Sequence, residues 1–84
     1  MTEIKVKLYA SLADYLPPGA KEHTAPLAVE DGTTIFAALS HFKVPEEKCH
    51  LVLLNGIFVP PSQRRKTVLS EGDTVAVWPP VAGG

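Results

Sequence analysis

The chain has 84 residues, a length that accommodates one small domain and leaves no room for a second. Its 45% hydrophobic and 20% charged residues match an ordinary globular protein and argue against intrinsic disorder. The net charge of −1 gives no general attraction to nucleic-acid phosphates or anionic membranes, so we expect neither as a partner. The single cysteine, Cys49, excludes an internal disulfide and a zinc site built from several cysteines.

Targeting and membrane signals are not evident. Charged residues at positions 3, 5, 7 and 14 interrupt the first 20 residues, so no signal-peptide core is present. No apolar run approaches the roughly 20 residues that span a bilayer. We therefore expect a cytoplasmic protein, and a free thiol suits that reducing compartment.

Two strands are predicted in the first 30 residues. Residues 3–9 alternate with period two, which is typical of a half-buried strand. The apolar face carries Ile4, Val6 and Leu8, and the other carries Glu3, Lys5, Lys7 and Tyr9. Residues 11–16 predict a short helical turn that the Pro-Pro-Gly at 17–19 ends. A second strand is predicted at about residues 23–30, antiparallel to the first.

One helix is predicted at about residues 34–43. Thr33 or Thr34 can cap it through the side-chain oxygen. Apolar residues then recur at i, i+3, i+4 and i+7, which places them on one face: Ile35, Ala38, Leu39 and Phe42. Phe36 lies off this stripe and is expected at the periphery of the core. Pro45 ends the segment, because the residue before a proline avoids helical dihedrals.

Three more strands are predicted after the helix. The apolar run Leu51–Leu54 is followed by Asn55-Gly56, a strong signal for a type I′ hairpin turn, and by a return strand at 57–59. A loop at 60–66 and a turn at 71–73 precede the last strand, residues 74–78. That strand places Val75 and Val77 on one face and Ala76 and Trp78 on the other.

The order of elements predicts an α+β fold. We expect a β-grasp, ubiquitin-like arrangement: a mixed sheet of four to five strands with one main helix packed on one face. The first and last strands would pair in parallel at the centre of the sheet. The domain boundaries are predicted as a β-grasp domain at 1–78 and a flexible C-terminal tail at 79–84.

The tail has a composition that no core requires. Pro79 and Pro80 lack backbone donors and should direct the chain out of the sheet. The residues that follow are small and end in two glycines: Val81, Ala82, Gly83 and Gly84. Such a slender tip can bring a terminal carboxylate into a narrow cleft of another protein. A frayed, idle terminus is the alternative.

The tail resembles the C-terminus of the MoaD/ThiS family of prokaryotic sulfur carriers, in which an aromatic-Pro-Pro segment leads to a terminal Gly-Gly. The matching stretch is Val77-Trp78-Pro79-Pro80-Val81-Ala82-Gly83-Gly84. The segments at 4–10, 54–56 and 69–75 are also similar to that family. The resemblance therefore extends over nearly the whole chain.

The resemblance implies a carrier and not an enzyme. An E1-like adenylating enzyme of the MoeB or ThiF type would use ATP and Mg²⁺ to adenylate Gly84. A sulfur donor would then displace AMP and leave a thiocarboxylate on that residue. The rest of the tail would bind the partner proteins: Trp78, Pro79, Pro80, Val81, Ala82 and Gly83. The chain itself is expected to bind no cofactor and no metal.

The sulfur acceptor stays open between several candidates. The tail is most similar to small subunits of molybdopterin synthase, which implies a large MoaE-like synthase subunit as partner and molybdenum or tungsten cofactor synthesis as the pathway. A carrier for thiamine, with thiazole synthase as partner, or for another metabolite is the second candidate. A ubiquitin-like modifier joined to lysines of target proteins, or an interaction domain with an idle tail, are the others.

Four further features have alternative interpretations. Trp78 is expected either to form a protein interface or to cover the end of the sheet. One face of the strand Leu51–Leu54 is expected to form an apolar docking patch, unless the strand is covered on both sides. The basic run Arg64-Arg65-Lys66 is interpreted first as a solvated loop and second as a contact for an acidic partner. Cys49 is expected to be a structural thiol. The histidines lack metal-ligand spacing and are expected at the surface: His23, His41 and His50.

Overall fold

The computed structural model describes residues 1–80 as one mixed β-sheet with an α-helix on one side. The strands are β1 (Thr2–Leu8), β2 (Thr24–Val29), β3 (Leu51–Leu54), β4 (Ile57–Phe58) and β5 (Thr74–Trp78), and the helix is α1 (Ile35–His41). Short 3-10 helices cover Ala10–Tyr15, Glu46–Lys48 and Pro61–Gln63. No helix within residues 1–80 has the length and apolar character needed to cross a bilayer.

The sheet has the predicted β-grasp topology. Its five strands lie in the order β2-β1-β5-β3-β4. The first and last strands, β1 and β5, are parallel neighbours at the centre, and every other neighbouring pair is antiparallel. The fold class is therefore confirmed, with five strands and one main helix.

The core lies between α1 and one face of the sheet, because the alternating strands bury one parity of side chains. The central strands contribute Ile4, Val6, Leu8, Val75 and Val77, none more than 1% exposed. The predicted helical stripe joins the same cluster through Ile35, Ala38 and Leu39. The opposite face of the sheet, which we call the open face, carries the other parity.

The helix is shorter than predicted at both ends. Thr34 is the N-cap, and its hydroxyl oxygen accepts a 3.2 Å hydrogen bond from the Ala37 N–H. Phe42 is the C-cap, and the next residue, Lys43, has a φ of 62°, which ends the helical path. Phe36 is partly buried, and the guanidinium of Arg65 lies 3.6 Å from the centre of its ring.

The hairpin between β3 and β4 turns as predicted. Asn55 and Gly56 have φ values of 51° and 85°, the positive sign that a type I′ turn requires at both positions. The Asn55 side chain also reaches the chain just before β5. Its Nδ2 donates to Asp73 Oδ1 at 2.9 Å, and its Oδ1 accepts from the Thr74 N–H at 2.8 Å. One residue thus forms the turn and connects it to the central strand.

Candidate functional site

The candidate site is the end of β5, where the tail begins. The strand ends at Trp78, as the two prolines after it predict. The carbonyl of Trp78 accepts a 3.0 Å hydrogen bond from the His50 N–H. Pro79 is buried and Pro80 is exposed, so the chain reaches the surface at the second proline. The predictions for Val81, Ala82, Gly83 and Gly84 fall outside the described residues.

Trp78 is one of three stacked rings on the open face. Its indole is parallel to the ring of Tyr9, with the centroids 4.3 Å apart and the planes 5° apart. The Tyr9 ring also stacks with the ring of His23, with centroids 5.3 Å apart and planes at 29°. Near-parallel aromatic pairs at this separation contribute about 0.5–1.5 kcal/mol beyond the area they bury. The last residue of the sheet is therefore held by its side chain as well as by its backbone.

The register of the sheet extends this stack into an apolar surface. On the open face Trp78 is opposite Leu51, and Ala76 is opposite Leu53, which in turn is opposite Phe58. Phe58 is 52% exposed, and the other members are partly exposed. We call this surface, made of Leu51, Leu53, Phe58, Ala76 and Trp78, the apolar patch. Exposed apolar surfaces of this kind are typical of protein–protein contact sites. This one lies beside the start of the tail.

Basic side chains border the apolar patch on one side. Lys5 and Lys7 share the open face, and Lys7 is the neighbour of Ala76 across the parallel pair. Lys5 is exposed and Lys7 is partly exposed. A partner that covers the patch would therefore meet apolar contacts on the β3–β4 side and positive charge on the β1 side.

The interpretation of the basic run as a solvated loop is wrong for its first residue. Arg64 is only 3% exposed, and its guanidinium donates to the main-chain carbonyls of Val59, Cys49 and His50 at 3.2, 2.6 and 3.2 Å. These bonds connect the loop after β4 to the chain that enters β3. Arg65 pairs with Glu46 at 3.0 Å, and Lys66 is exposed. Arg64 is therefore structural, whereas Arg65 and Lys66 lie at the surface as expected.

Cys49 is buried, as expected for a structural thiol. Its Sγ lies 3.6 Å from the Pro45 carbonyl, and burial raises the pKa of the thiol, an effect that the nearby Arg64 charge only partly offsets. A thiol with a raised pKa is a poor nucleophile. The three histidines are exposed, as predicted. Within residues 1–80, no three His, Cys, Asp or Glu side chains converge to hold a metal.

Sequence reasoning placed Trp78 at this site but did not connect it with Tyr9 or His23. The signal was present in part, since Tyr9 and Trp78 both follow the outward parity of strands that were expected to pair in parallel. The register that brings the two rings together was not predictable from either strand alone. Phe58 was missed because a two-residue strand has too short a pattern to assign its faces.

Comparison with known proteins identifies the family. The model of the ThiS family matches residues 6–84, and no curated protein matches significantly. The chain is 27% identical to the small archaeal modifier protein 1 from Methanosarcina acetivorans, with a TM-score of 0.67 over 100% of this chain and 98% of that one.

Two other solved structures share the fold. The thiamine biosynthesis protein ThiS from Geobacter metallireducens has 21% identity and a TM-score of 0.60, over 95% of this chain and 99% of that one. A chain from the complex of subunits 1 and 2 of the molybdopterin-converting factor from Helicobacter pylori has 18% identity and a TM-score of 0.58, over 99% and 100%. Since the family match runs from residue 6 to residue 84, the chain belongs to the ThiS family, the MoaD/ThiS group of ubiquitin-like sulfur carriers that its tail motif resembles.

Proposed function

We propose that the chain is a sulfur carrier for molybdenum or tungsten cofactor biosynthesis, with the sulfur held as a thiocarboxylate on Gly84. The observation that carries this proposal is the family match, which extends through the Pro-Pro-Val-Ala-Gly-Gly at residues 79–84. The choice of pathway is supported by the similarity of that motif to the tails of small molybdopterin synthase subunits.

The chemistry takes place at the last carbonyl. A carboxylate is ionised at neutral pH and is a poor electrophile, so it must first be activated. Attack of the Gly84 carboxylate on ATP forms an acyl adenylate and releases pyrophosphate. A sulfur nucleophile then attacks the acyl carbon and expels AMP, which leaves a C–S bond at Gly84. The thiocarboxylate sulfur is itself a nucleophile and can be transferred to an acceptor.

Partner proteins supply the catalysis in this proposal. An E1-like adenylating enzyme of the MoeB or ThiF type binds ATP and Mg²⁺, and a large MoaE-like synthase subunit binds the acceptor. The apolar patch supports such contacts, because it lies beside the start of the tail. A partner docked there would meet the start of the tail, at Pro79 and Pro80, without any rearrangement of the sheet. We place these steps in the cytoplasm, where ATP and reduced sulfur are both present.

The direct test is the intact mass of the protein after incubation with the cognate activating enzyme, ATP, Mg²⁺ and a sulfur donor. We expect the gain that corresponds to the replacement of one oxygen by sulfur. A variant without Gly84 should remain folded and show no mass gain. Lys66→Ala, at an exposed loop position, should take up sulfur as the wild type does. Absence of any gain in the wild-type protein with every plausible activating enzyme would contradict the proposal.

A ubiquitin-like modifier is the second candidate. It is favoured by the 27% identity to the small archaeal modifier protein 1 from Methanosarcina acetivorans. In this case a lysine amine, and not sulfur, would attack the activated Gly84 and form an isopeptide bond. Mass spectrometry of tagged protein from cells would reveal Gly84 joined to lysines of other proteins. Conjugates that disappear on deletion of Gly84 would support the modifier function.

A further inference from the structure

The ring pair of Tyr9 and Trp78 lies at the point where the tail begins. Trp78 is the last residue of β5, so whatever orients Trp78 also orients the first bond of the tail. The two rings are parallel within 5°, with 4.3 Å between their centroids. A small change in the direction of the strand end would separate them, because stacking depends on both distance and angle.

The backbone is held beside the same rings. The Tyr9 N–H donates to the carbonyl of Val77 at 3.0 Å, and the His50 N–H donates to the carbonyl of Trp78 at 3.0 Å. The next residue, Pro79, is buried, and its ring restricts φ to about −65°. Ring stacking, two hydrogen bonds and a proline thus act on three consecutive residues.

His23 is the second ring that stacks with Tyr9, with 5.3 Å between the two centroids. His23 is itself held in place, since its carbonyl accepts from the Leu8 N–H at 2.9 Å. The Tyr9 side chain therefore stacks with two rings, one from the segment before β2 and one from the end of β5.

We propose that Tyr9 is a positioning residue for the charging of Gly84, acting through Trp78 to set the direction in which the tail leaves the sheet. This inference rests on the proposed function, because it requires Gly84 to be the group that is charged. The reaction at the tip depends on alignment in the partner's site, so a changed direction at the start of the tail should reduce its rate.

The test compares Tyr9→Ala with Tyr9→Phe, which keeps the ring. Steady-state kinetics of sulfur uptake, with the cognate activating enzyme, ATP, Mg²⁺ and a sulfur donor, separates docking from positioning. With the carrier protein as the varied substrate, Tyr9→Ala should lower kcat by about tenfold or more and leave KM within about threefold of the wild-type value. Tyr9→Phe should behave as wild type. Trp78 is the only tryptophan, so its fluorescence should shift to longer wavelength and lose anisotropy in Tyr9→Ala and stay unchanged in Tyr9→Phe.

His23→Asn provides a second variant at an exposed position. His23 has a φ of 62°, which asparagine tolerates, so the change removes the His23 ring without adding backbone strain. It should lower kcat and Trp78 anisotropy in the same direction as Tyr9→Ala, to a smaller extent. If Tyr9→Ala does not fold, the positioning role is tested with His23→Asn.

Three results would overturn the positioning role: wild-type kinetics in Tyr9→Ala, a rise in KM with unchanged kcat, or Trp78 fluorescence that does not respond to loss of either ring. Each of these results is read in an experiment in which the wild-type protein takes up sulfur normally. A wild-type protein that takes up no sulfur would overturn the proposed function and the positioning role together. The two failures are therefore distinguishable in one set of measurements.

Discussion

The guanidinium of Arg64 donates a 2.6 Å hydrogen bond to the main-chain carbonyl of Cys49, fifteen residues earlier in the chain. The same group also binds the carbonyls of Val59 and His50. Arg64 therefore closes the end of the domain where the chain enters β3, next to His50, whose N–H binds Trp78. A charge predicted to be solvated instead stabilises the strand beside the tail.

Replacement of Arg64 by Met should destabilise the protein by about 3 kcal/mol, because two buried carbonyls and one partly buried carbonyl lose a charged donor. Arg64→Lys should recover only part of this loss, since an ammonium cannot reproduce the forked geometry. Urea unfolding followed by circular dichroism measures the free energy of unfolding. Lys66→Ala is the control in the same run and should change it by less than about 0.5 kcal/mol. Equal effects of both changes would show that Arg64 is not structural.

Burial of Cys49 predicts a decline in stability at alkaline pH. Its pKa is raised in the folded protein, so the neutral thiol is favoured there, whereas the unfolded chain loses the proton at the ordinary pKa of a thiol. The stabilisation is complete below that ordinary value and is lost as the pH rises towards the folded value. The difference in unfolding free energy between wild type and Cys49→Ala should therefore shrink over this range. A constant difference would contradict the effect.

A pair of matched variants on β4 tests whether the partner docks on the apolar patch. Phe58 lies on the open face, and Ile57, its neighbour in the strand, points to the other side and is more exposed, at 72% against 52%. Phe58→Glu should raise the KM for charging by about tenfold or more, because a desolvated carboxylate opposes docking. Ile57→Glu should leave KM unchanged. If the two variants behave alike, the partner does not use this face.

The side-chain hydrogen bonds of Asn55 predict that Asn55→Asp lowers stability, an effect that the turn conformation alone does not predict. Asn55→Asp would place a carboxylate where the amide now donates to Asp73 at 2.9 Å. We expect a loss of about 1–2 kcal/mol at neutral pH from the lost hydrogen bond and the like charges. Part of the loss should be recovered as the pH falls and a carboxylate is protonated. Asn55→Gly, which keeps the left-handed conformation, is the control and should show no such pH dependence.

Local signals in the sequence were sufficient for most of the fold. The alternation at residues 3–9, the apolar stripe of the helix and the Asn55-Gly56 turn each determine one element through interactions over a few residues. They gave the correct order of elements and fold class. The ending at residues 79–84 similarly indicated the family without any knowledge of the sheet, because its chemistry depends on residue type and position along the chain.

The relationships across the sheet could not be derived in the same way. Arg64 is buried because carbonyls of Val59 and Cys49, five and fifteen residues earlier in the chain, meet at its side chain, and nothing in the run at 64–66 indicates them. Tyr9 meets Trp78 only because β1 and β5 pair in one parallel register, nearly 70 residues apart in the chain. The sequence by itself thus determined the elements and, through residues 79–84, indicated the family, since both depend on near neighbours. Tertiary structure decided which side chains surround the start of that tail, since strand register is set by the packing of the whole core.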